Sequence, residues 1–566
     1  MEDTITIAFI VIIGFLAFVC YCIYHNRKQK RELEAKIRQL WGKRPEREYS
    51  YEEFDAISHY FQYRKKDGYY IDDITWNDLD MDTIFMLLNH TYSCIGESCL
   101  YAQLRIPSFS KDELEERSRL IRYFMEHKES REQLEYFFAK VGKTGAKSVF
   151  DYIYNLAGLD KEPQTKHFIC IGGIFLSLAL VFTVPQFGVL LLIAAMGYSW
   201  SVYFKEKKKA APYIMSCNCL LLMLKVADNL EKIKIPEIES YTRKIKESRQ
   251  KFSRFKRNSY FLIAGGDNTG GPNAGGGIEK TLIDYVNFTF HIDLIQFNTL
   301  IGELKGNLEA FEVLTENLGA LESALAVASF RTMMKEYCIP KLLDERTVFL
   351  RAENVYHPMI DEPVKNSVTV DRGVLLTGSN ASGKSTFLKT VAINAILAQT
   401  IYTCMADDYE GNFYKIYTSM ALKDDLMNQE SYYIVEIKSL KRILDHMQDE
   451  RPLLCFVDEV LRGTNTIERI AASSQILKSM SRKNVLCFAA THDIELTHIL
   501  EKYYKNYHFQ EEIHENDILF NYKLYKGRAI SRNAIKLLSI IGYHSNIIAR
   551  AEHSAQHFTE TGEWTL

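Results

Sequence analysis

The sequence predicts an α/β domain with a largely parallel sheet, joined to a helical region and to three membrane-crossing helices. Three observations carry that reading. From Val348 onward, short apolar runs alternate with amphipathic stretches, the pattern of strands followed by crossover helices. Between one such strand, "GVLLTG", and one such helix, "TFLKTVAINAIL", lies the small-residue stretch Gly378–Ser385. Two further blocks, Thr4–Tyr24 and Phe168–Phe204, contain no charged residue.

At 566 residues the chain exceeds what one hydrophobic core can hold, so several structural units are expected. The composition is that of a folded protein, 47% apolar and 25% charged with only 11 prolines. A formal net charge of −3 excludes a general polycation, so any nucleic-acid contact must come from a local patch. The 11 cysteines form no C-x-x-C pair. Cys20/Cys22 and Cys217/Cys219, each with one intervening residue, suit neither zinc nor a redox motif. Scattered thiols point to a reducing compartment, the cytosol, for the bulk of the chain.

In chain order, residues 1–24 form the first span. Acidic Glu2 and Asp3 precede it and no small-residue cleavage site follows, which argues against a signal peptide. Basic "HNRKQKR" (His25–Arg31) follows at once and places that end on the cytoplasmic side. Residues 25–166 read as helical; in "KDELEERSRLIRYFMEHK" the positions Leu114, Leu120, Ile121, Phe124 and Met125 recur at helical intervals. Residues 167–204 form a hairpin of two spans, broken by "VPQFG" (Val184–Gly188) and closed by "KEKKK" (Lys205–Lys209). The expected topology is a multi-pass protein of the cell membrane with three spans. Its amino terminus is outside and both soluble parts are cytoplasmic.

Residues 205–345 hold a basic helix, a linker and further helix. The basic run Tyr241–Arg257 is either a solvated helix face or a contact for anionic lipid or a nucleic-acid backbone. "AGGDNTGGPNAGGG" (Ala264–Gly277) is a flexible loop by composition; without a strand–turn–helix frame its glycines are no nucleotide fingerprint. Helices resume over Glu279–Met334. Residues 346–510 are the α/β domain, and 511–566 a C-terminal segment.

Gly378-Ser379-Asn380-Ala381-Ser382-Gly383-Lys384-Ser385, followed by Thr386, satisfies G-x-x-x-x-G-K-[ST], a P-loop in the strand–loop–helix context it requires. Glycines let backbone N–H groups close on phosphate, and the helix amino terminus adds partial positive charge. Lys384 can reach the β- and γ-phosphates of ATP, and Ser385 offers an oxygen to Mg2+. The strand "LLCFVDE" (Leu453–Glu459) ends in two carboxylates: Asp458 for the metal, Glu459 to orient or deprotonate water. The strand "VLCFAATH" (Val485–His492) ends in His492, placed to sense the γ-phosphate, because ligands sit at the carboxyl edge of such sheets.

These residues resemble the MutS family of DNA mismatch-repair ATPases, which are of the ABC class. "TGSNASGKST" parallels the family's TGPNMGGKST, with Asn380 matching; "DEVLRGTNTIE" parallels DEIGRGTST, and "ATHDIELT" parallels ATHYFELT. "DDLMNQESYYIVEIKSL" is similar to DDLASGRSTFMVEMTE, aligning Ser431 and Glu436, while Gln429 and Glu430 replace a glycine and an arginine. "VYHPMI" stands where the family has RHPVV. The resemblance thereby implies nucleotide contacts at His357 and Asn366. "LDMDTIFMLLNHTYSCIGESCLYAQL" looks like the core helices with their T-x-x-G pattern, and the end of the chain looks like the closing dimerisation segment, with Ser531-Arg-Asn-Ala in place of SYGI.

The resemblance implies an ABC/MutS-type P-loop ATPase domain beside a MutS-core-like helical region, working as a homodimer. Ser431 of one subunit would complete the catalytic set of Lys384, Glu459 and His492 of the other. Three departures qualify it. The Phe-x-Glu mismatch reader is replaced by the membrane anchor. The interval 165–280, where DNA-encircling helices would lie, holds the hairpin, the basic helix and the glycine loop. The aromatic that stacks on adenine is Val364. The first functional expectation is a membrane-held ATPase related to mismatch repair or DNA damage sensing, reading DNA structure rather than mismatches. The alternative is a membrane-tethered ATP switch acting on a protein or lipid partner without DNA. A dead scaffold is disfavoured because Lys384, Ser385, Asp458, Glu459 and His492 are all present.

Overall fold

The computed structural model describes residues 2–65, 68–156, 164–257, 278–379, 382–420, 432–462, 464–514, 517–529, 535, 538 and 542–565. The Ala264–Gly277 loop, Asn380, Ala381, Ser431 and the Ser531–Ala534 stretch lie outside these residues. The chain forms two compact units.

The first unit comprises Met1–Lys66, Met86–Gln103 and Ser118–Met333, and its regular structure is helical. Its opening helix, Glu2–Leu40, includes the expected first span, most of whose side chains are outside the description. The hairpin consists of the helices Thr165–Thr183 and Pro185–Lys232, separated at the predicted "VPQFG". Val184 leaves helical geometry (φ −137), and Pro185 opens the next helix, where its missing N–H costs nothing. Gly188 follows because a Cβ there would lie 2.3 Å from the backbone nitrogen of Val181, so only glycine lets the two helices approach this closely.

Among the described residues, Thr165–Thr183, Pro185–Ala211 and Tyr213–Lys232 are long and apolar enough to cross a membrane. The first two bury 22% and 17% of their most apolar window inside the protein, the third 67%. Phe182, Phe187, Leu190 and Ile193 of the hairpin face outward, whereas Cys217, Leu220 and Leu224 of the third stretch are buried. Packing within the unit therefore accounts for the third stretch, whereas the hairpin leaves a two-helix apolar surface to be covered.

One buried carboxylate organises the rest of this unit. Glu322, on the helix Leu308–Met334, accepts the backbone N–H groups of Tyr92 (2.7 Å) and Ser93 (2.8 Å) and the Ser93 hydroxyl. These groups precede the helix Cys94–Arg105, whose unpaired N–H donors a carboxylate suits. The approach explains the glycine of the T-x-x-G pattern: a Cβ on Gly96 would sit 2.3 Å from the Glu322 carboxyl carbon. One turn earlier on the long helix, a Cβ on Gly319 would lie 2.2 Å from Cys99 Sγ.

The second unit comprises Asp67–Phe85, Leu104–Arg117 and Met334–Leu566. Its strands are β1 (Lys341–Leu343), β2 (Leu350–Val355), β3 (Asn366–Val370), β4 (Val374–Thr377), β5 (Asp408–Asn412), β6 (Lys415–Ser419), β7 (Leu453–Asp458), β8 (Val485–Ala490), β9 (Lys505–His514) and β10 (Asp517–Lys526). A small sheet has the order β1-β5-β2-β3; the main sheet runs β10-β9-β4-β8-β7-β6. All its pairs are parallel except β9–β10. The helices Lys384–Thr400, Tyr432–His446 and Thr466–Ser479 lie between its strands in sequence. Leu375, Cys455, Val457, Cys487 and Ala489 pack with Leu440, Ile443 and Leu477 in one core. The free edge of β6 is covered from within this unit. The Tyr69 hydroxyl pairs with both backbone groups of Ile416 (2.6 and 2.7 Å), and Asp78 accepts the Thr418 hydroxyl (2.7 Å) and the Met420 N–H (2.9 Å).

Burial raises the Glu322 carboxyl to about 7, against the opposing hydrogen bonds from Ser93 and Tyr92. A raised folded-state value favours the neutral form. Its stabilisation is therefore complete below the unfolded value and is lost as pH rises through 7. Glu322→Gln keeps a backbone acceptor without the charge. We expect wild type and variant to have similar thermal stability at pH 5, and the wild type to fall behind by about 3 kcal/mol at most by pH 8. Parallel melting curves across that range would contradict the assignment.

Candidate active site

Strand order brings the candidate residues together. β8 lies between β4 and β7, so the carboxyl ends of all three adjoin. The ladder continues past the strands: Thr491 N–H donates to Leu376 O (2.9 Å), and Glu459 N–H donates to Ala490 O (2.9 Å). The Gly378 loop, the Asp458–Glu459 pair and His492 thus emerge side by side at the edge where ligands bind in such sheets.

The loop after β4 is shaped as a cradle. Gly378 has φ +149, and a Cβ there would meet Ser382 Oγ at 2.8 Å and Phe509 O at 2.9 Å. Gly383 has φ +104, a value L-residues rarely adopt, and leads into the helix Lys384–Thr400. Ser382 Oγ is buried and has no hydrogen-bond partner among the described residues. The Lys384 ammonium donates to Gly378 O (2.8 Å) and Ser379 O (2.7 Å), curling over the loop. Burial pulls its pKa down, while Asp458 and Glu459 raise it. An orphaned hydroxyl, a cation and a helix amino terminus in one loop fit a phosphate group.

The acidic side is equally defined. Ser385 Oγ donates to Asp458 Oδ2 at 2.5 Å, so both expected magnesium oxygens are already adjacent. Among the described residues no three His, Cys, Asp or Glu side chains form a metal cluster. A hydroxyl and one carboxylate fit Mg2+, which commonly takes its remaining oxygens from phosphate and water. Glu459 has φ +59, and its carboxylate bonds His492 Nε2 (2.8 Å) and Arg462 Nε (2.7 Å). The hydrogen bond from His492 and the charge of Arg462 hold it below the usual carboxylate range, against its partial burial. Glu459 is therefore ionised at neutral pH and aimed across the gap toward the β8 tip.

Three residues at this site escaped the sequence reading. Arg462 was legible only as part of "DEVLRGTNTIE". Glu436, noted only as an aligned position, is buried and accepts the N–H groups of Leu461 (2.5 Å) and Arg462 (3.2 Å), pinning the turn after Glu459. Tyr522 sits in a register shift of β10, at φ +52, with its ring 3.1 Å from where a Gly383 Cβ would be. Asn366 holds that bulge: it donates to Tyr522 O (2.9 Å) and accepts Leu524 N–H (2.8 Å). Asn366 thus acts on the site through Tyr522. A half-exposed aromatic between Asn521 and Lys523 was the available signal, and nothing in the strand pattern marked the bulge.

The remaining expected residues are placed differently. His357 lies on the loop after β2, where it accepts the Met359 N–H (3.3 Å); burial and nearby Lys389 hold its pKa down. No hydrogen bond to a cradle residue is formed by His357 among the described residues. Thr386 is exposed in the first turn after Lys384. Val364 is partly exposed beside Asn366. Asn380, Ala381 and Ser431 lie outside the described residues. Because Tyr522 presents an aromatic face where Val364 cannot, Tyr522→Ala should weaken ATP binding roughly tenfold (about 1–2 kcal/mol) and Tyr522→Phe should not. Titration with a fluorescent ATP analogue checks this; equal affinity in all three proteins would exclude stacking.

The profile of MutS domain V matches residues 374–559, which contain this entire edge except Asn366 and His357. DNA mismatch repair protein MSH3 of Debaryomyces hansenii is 27% identical over 280 residues, 45% of this chain and 27% of that protein. MutS protein homolog 4 of Homo sapiens is 27% identical, over 48% of this chain and 30% of its own length. DNA mismatch repair protein MutS of Thermotoga maritima is 28% identical, over 45% and 33% respectively. The chain thus spans about a third or less of the length of these relatives. Residues 374–559, which carry the cradle and carboxylates described above, are thus similar to domain V of the MutS family.

Proposed function

We propose that this protein is a membrane-anchored, Mg2+-dependent ATPase in which ATP closes a homodimer and hydrolysis reopens it. The observation that carries the reading is the meeting of Ser385 with Asp458 (2.5 Å) and of Glu459 with His492 (2.8 Å) at the adjoining tips of β4, β7 and β8. Bound MgATP supplies an electrophilic γ-phosphoryl group with its charge partly neutralised. Lys384 moves from the carbonyls of Gly378 and Ser379 to phosphate oxygen. Ser385 and Asp458 hold the metal side. Glu459 accepts a hydrogen bond from the attacking water and orients it, and His492 steadies Glu459. In the resemblance to the family, Ser431 of a second subunit completes the site. The apolar outward face of the 165–204 hairpin supports the membrane anchoring.

Relatives named for DNA mismatch repair support a role in DNA repair or damage sensing, with DNA structure as the feature read. One observation favours the second reading, a switch acting on a protein or lipid partner without DNA. Within the basic run, Lys246, Arg249 and Lys256 are already paired with Asp228 and Glu231. That segment is less free to meet a DNA backbone than its sequence suggests.

Lys384→Ala should abolish ATP binding, because phosphate loses its fixed cation. Glu459→Gln should bind ATP yet hydrolyse it about 10²- to 10⁴-fold more slowly, trapping a closed dimer. Single-turnover hydrolysis at the wild-type rate in Glu459→Gln would remove Glu459 from the mechanism. The shared site is tested by mixing. Lys384→Ala and Ser431→Arg subunits should each be inactive alone, and a heterodimer should regain partial activity because both defects fall on one composite site. Absence of rescue in demonstrated heterodimers would rule out completion in trans.

A further inference from the structure

A groove in the first unit, remote in sequence from domain V, lies between the helices Lys128–Ala139 and Pro185–Lys232. Leu222, Lys225, Val226, Asn229 and Lys232 recur at helical spacing and share one face of the long helix; Phe137 and Lys140 come from the other. Together they line a cavity of about 290 Å³. Three lysines, Lys140, Lys225 and Lys232, are among its lining residues; they are exposed, and the Lys140 ammonium lies 4.4 Å from the centroid of the Tyr136 ring. Its one acid, Asp228, is already bonded to Arg249 and Lys256, and neighbouring Glu231 holds Lys246 (2.7 Å) and Arg249 (2.8 Å). Among the described residues no carboxylate pairs with Lys140, Lys225 or Lys232. Like charges gathered around a cavity are unfavourable unless an anion joins them.

We infer that this groove binds a small soluble anion carrying two or more phosphate groups. Lys225 and Lys232 are two turns apart, about 10 Å along the helix, more than one phosphate spans. Phe137, Leu222 and Val226 provide an apolar floor and Asn229 an amide, which suit an organic body attached to the phosphates. A DNA duplex presents its phosphates on a convex surface that a cavity of this size does not admit. A free anion is favoured over a lipid headgroup because Leu222 lies about 27 Å further along the helix than Phe204, where the charge-free block ends. The inference is independent of the ATPase reading.

The test uses the full chain in detergent carrying Lys384→Ala, so that the domain V cradle does not contribute. Titration calorimetry with sodium tripolyphosphate should show saturable binding. Lys225→Gln with Lys232→Gln should weaken it at least tenfold, while Lys244→Gln, an exposed charge outside the cavity, should leave it unchanged. Independently of those variants, tripolyphosphate should protect Lys225 severalfold from an amine-acylating reagent, read by mass spectrometry. The inference is overturned by absence of saturable binding in the Lys384→Ala chain, or by equal affinity in the double variant. It is also overturned if a short DNA duplex or phosphatidylglycerol vesicles protect Lys225 where tripolyphosphate does not.

Discussion

Strand β8 separates β4 from β7, and its fully buried residues set the spacing of everything that projects from the sheet's carboxyl edge. Backbone pairing continues one residue beyond β8 and β7, through Thr491 and Glu459, so the loops start from fixed points. The Ser385–Asp458 hydrogen bond joins the cradle to the acidic tip across that spacing. Were β8 and β7 exchanged, Asp458 would sit directly beside the Gly378 loop and His492 beyond it, and the order of these residues along the edge would be lost. Rigid elements thus carry the geometry, while residues in unusual backbone conformations (Gly378, Gly383, Glu459) do the local aiming.

The electrostatics of the edge follow from the same arrangement. Lys384 and Arg462 are the cations beside Asp458 and Glu459, and His492 bonds the Glu459 carboxylate, so the charges of the edge are balanced within it. In the proposed ATPase, phosphate would compete for Lys384 and release the carbonyls of Gly378 and Ser379, so occupancy would change the bonding of the loop itself. The other end of the main sheet is closed differently: Tyr69, Thr75 and Asp78 cover β6, the strand that leads toward the segment containing Ser431. That strand is held by side chains drawn from more than 300 residues earlier in the chain.

In the helical unit, close packing around the buried Glu322 carboxyl sets the architecture. Gly96 and Gly319 admit Glu322 and Cys99 to distances no larger residue tolerates, and Gly188 does the same at the hairpin turn. Charge is then arranged over this frame, with acids of the long helix engaging part of the basic run. Lys140, Lys225 and Lys232, which among the described residues pair with no carboxylate, line the groove.

By itself the sequence determined those features whose physics is local. The strand before Gly378 and the helix from Lys384, the apolar strands ending in Asp458 and before His492, and the break at Val184–Gly188 each depend on a few adjacent residues, and each is found where predicted. Features that depend on distant residues meeting were decided by tertiary structure. The Tyr522 bulge needs Asn366, Glu436 needs the turn after Glu459, and the cover on β6 needs Asp78. The partnering of the basic run is of the same kind: composition shows Lys246, Arg249 and Lys256, but only packing brings Asp228 and Glu231 against them. A hydrogen bond or ion pair between residues far apart in the chain leaves no periodicity in either segment, so it becomes legible only once the fold has placed both ends.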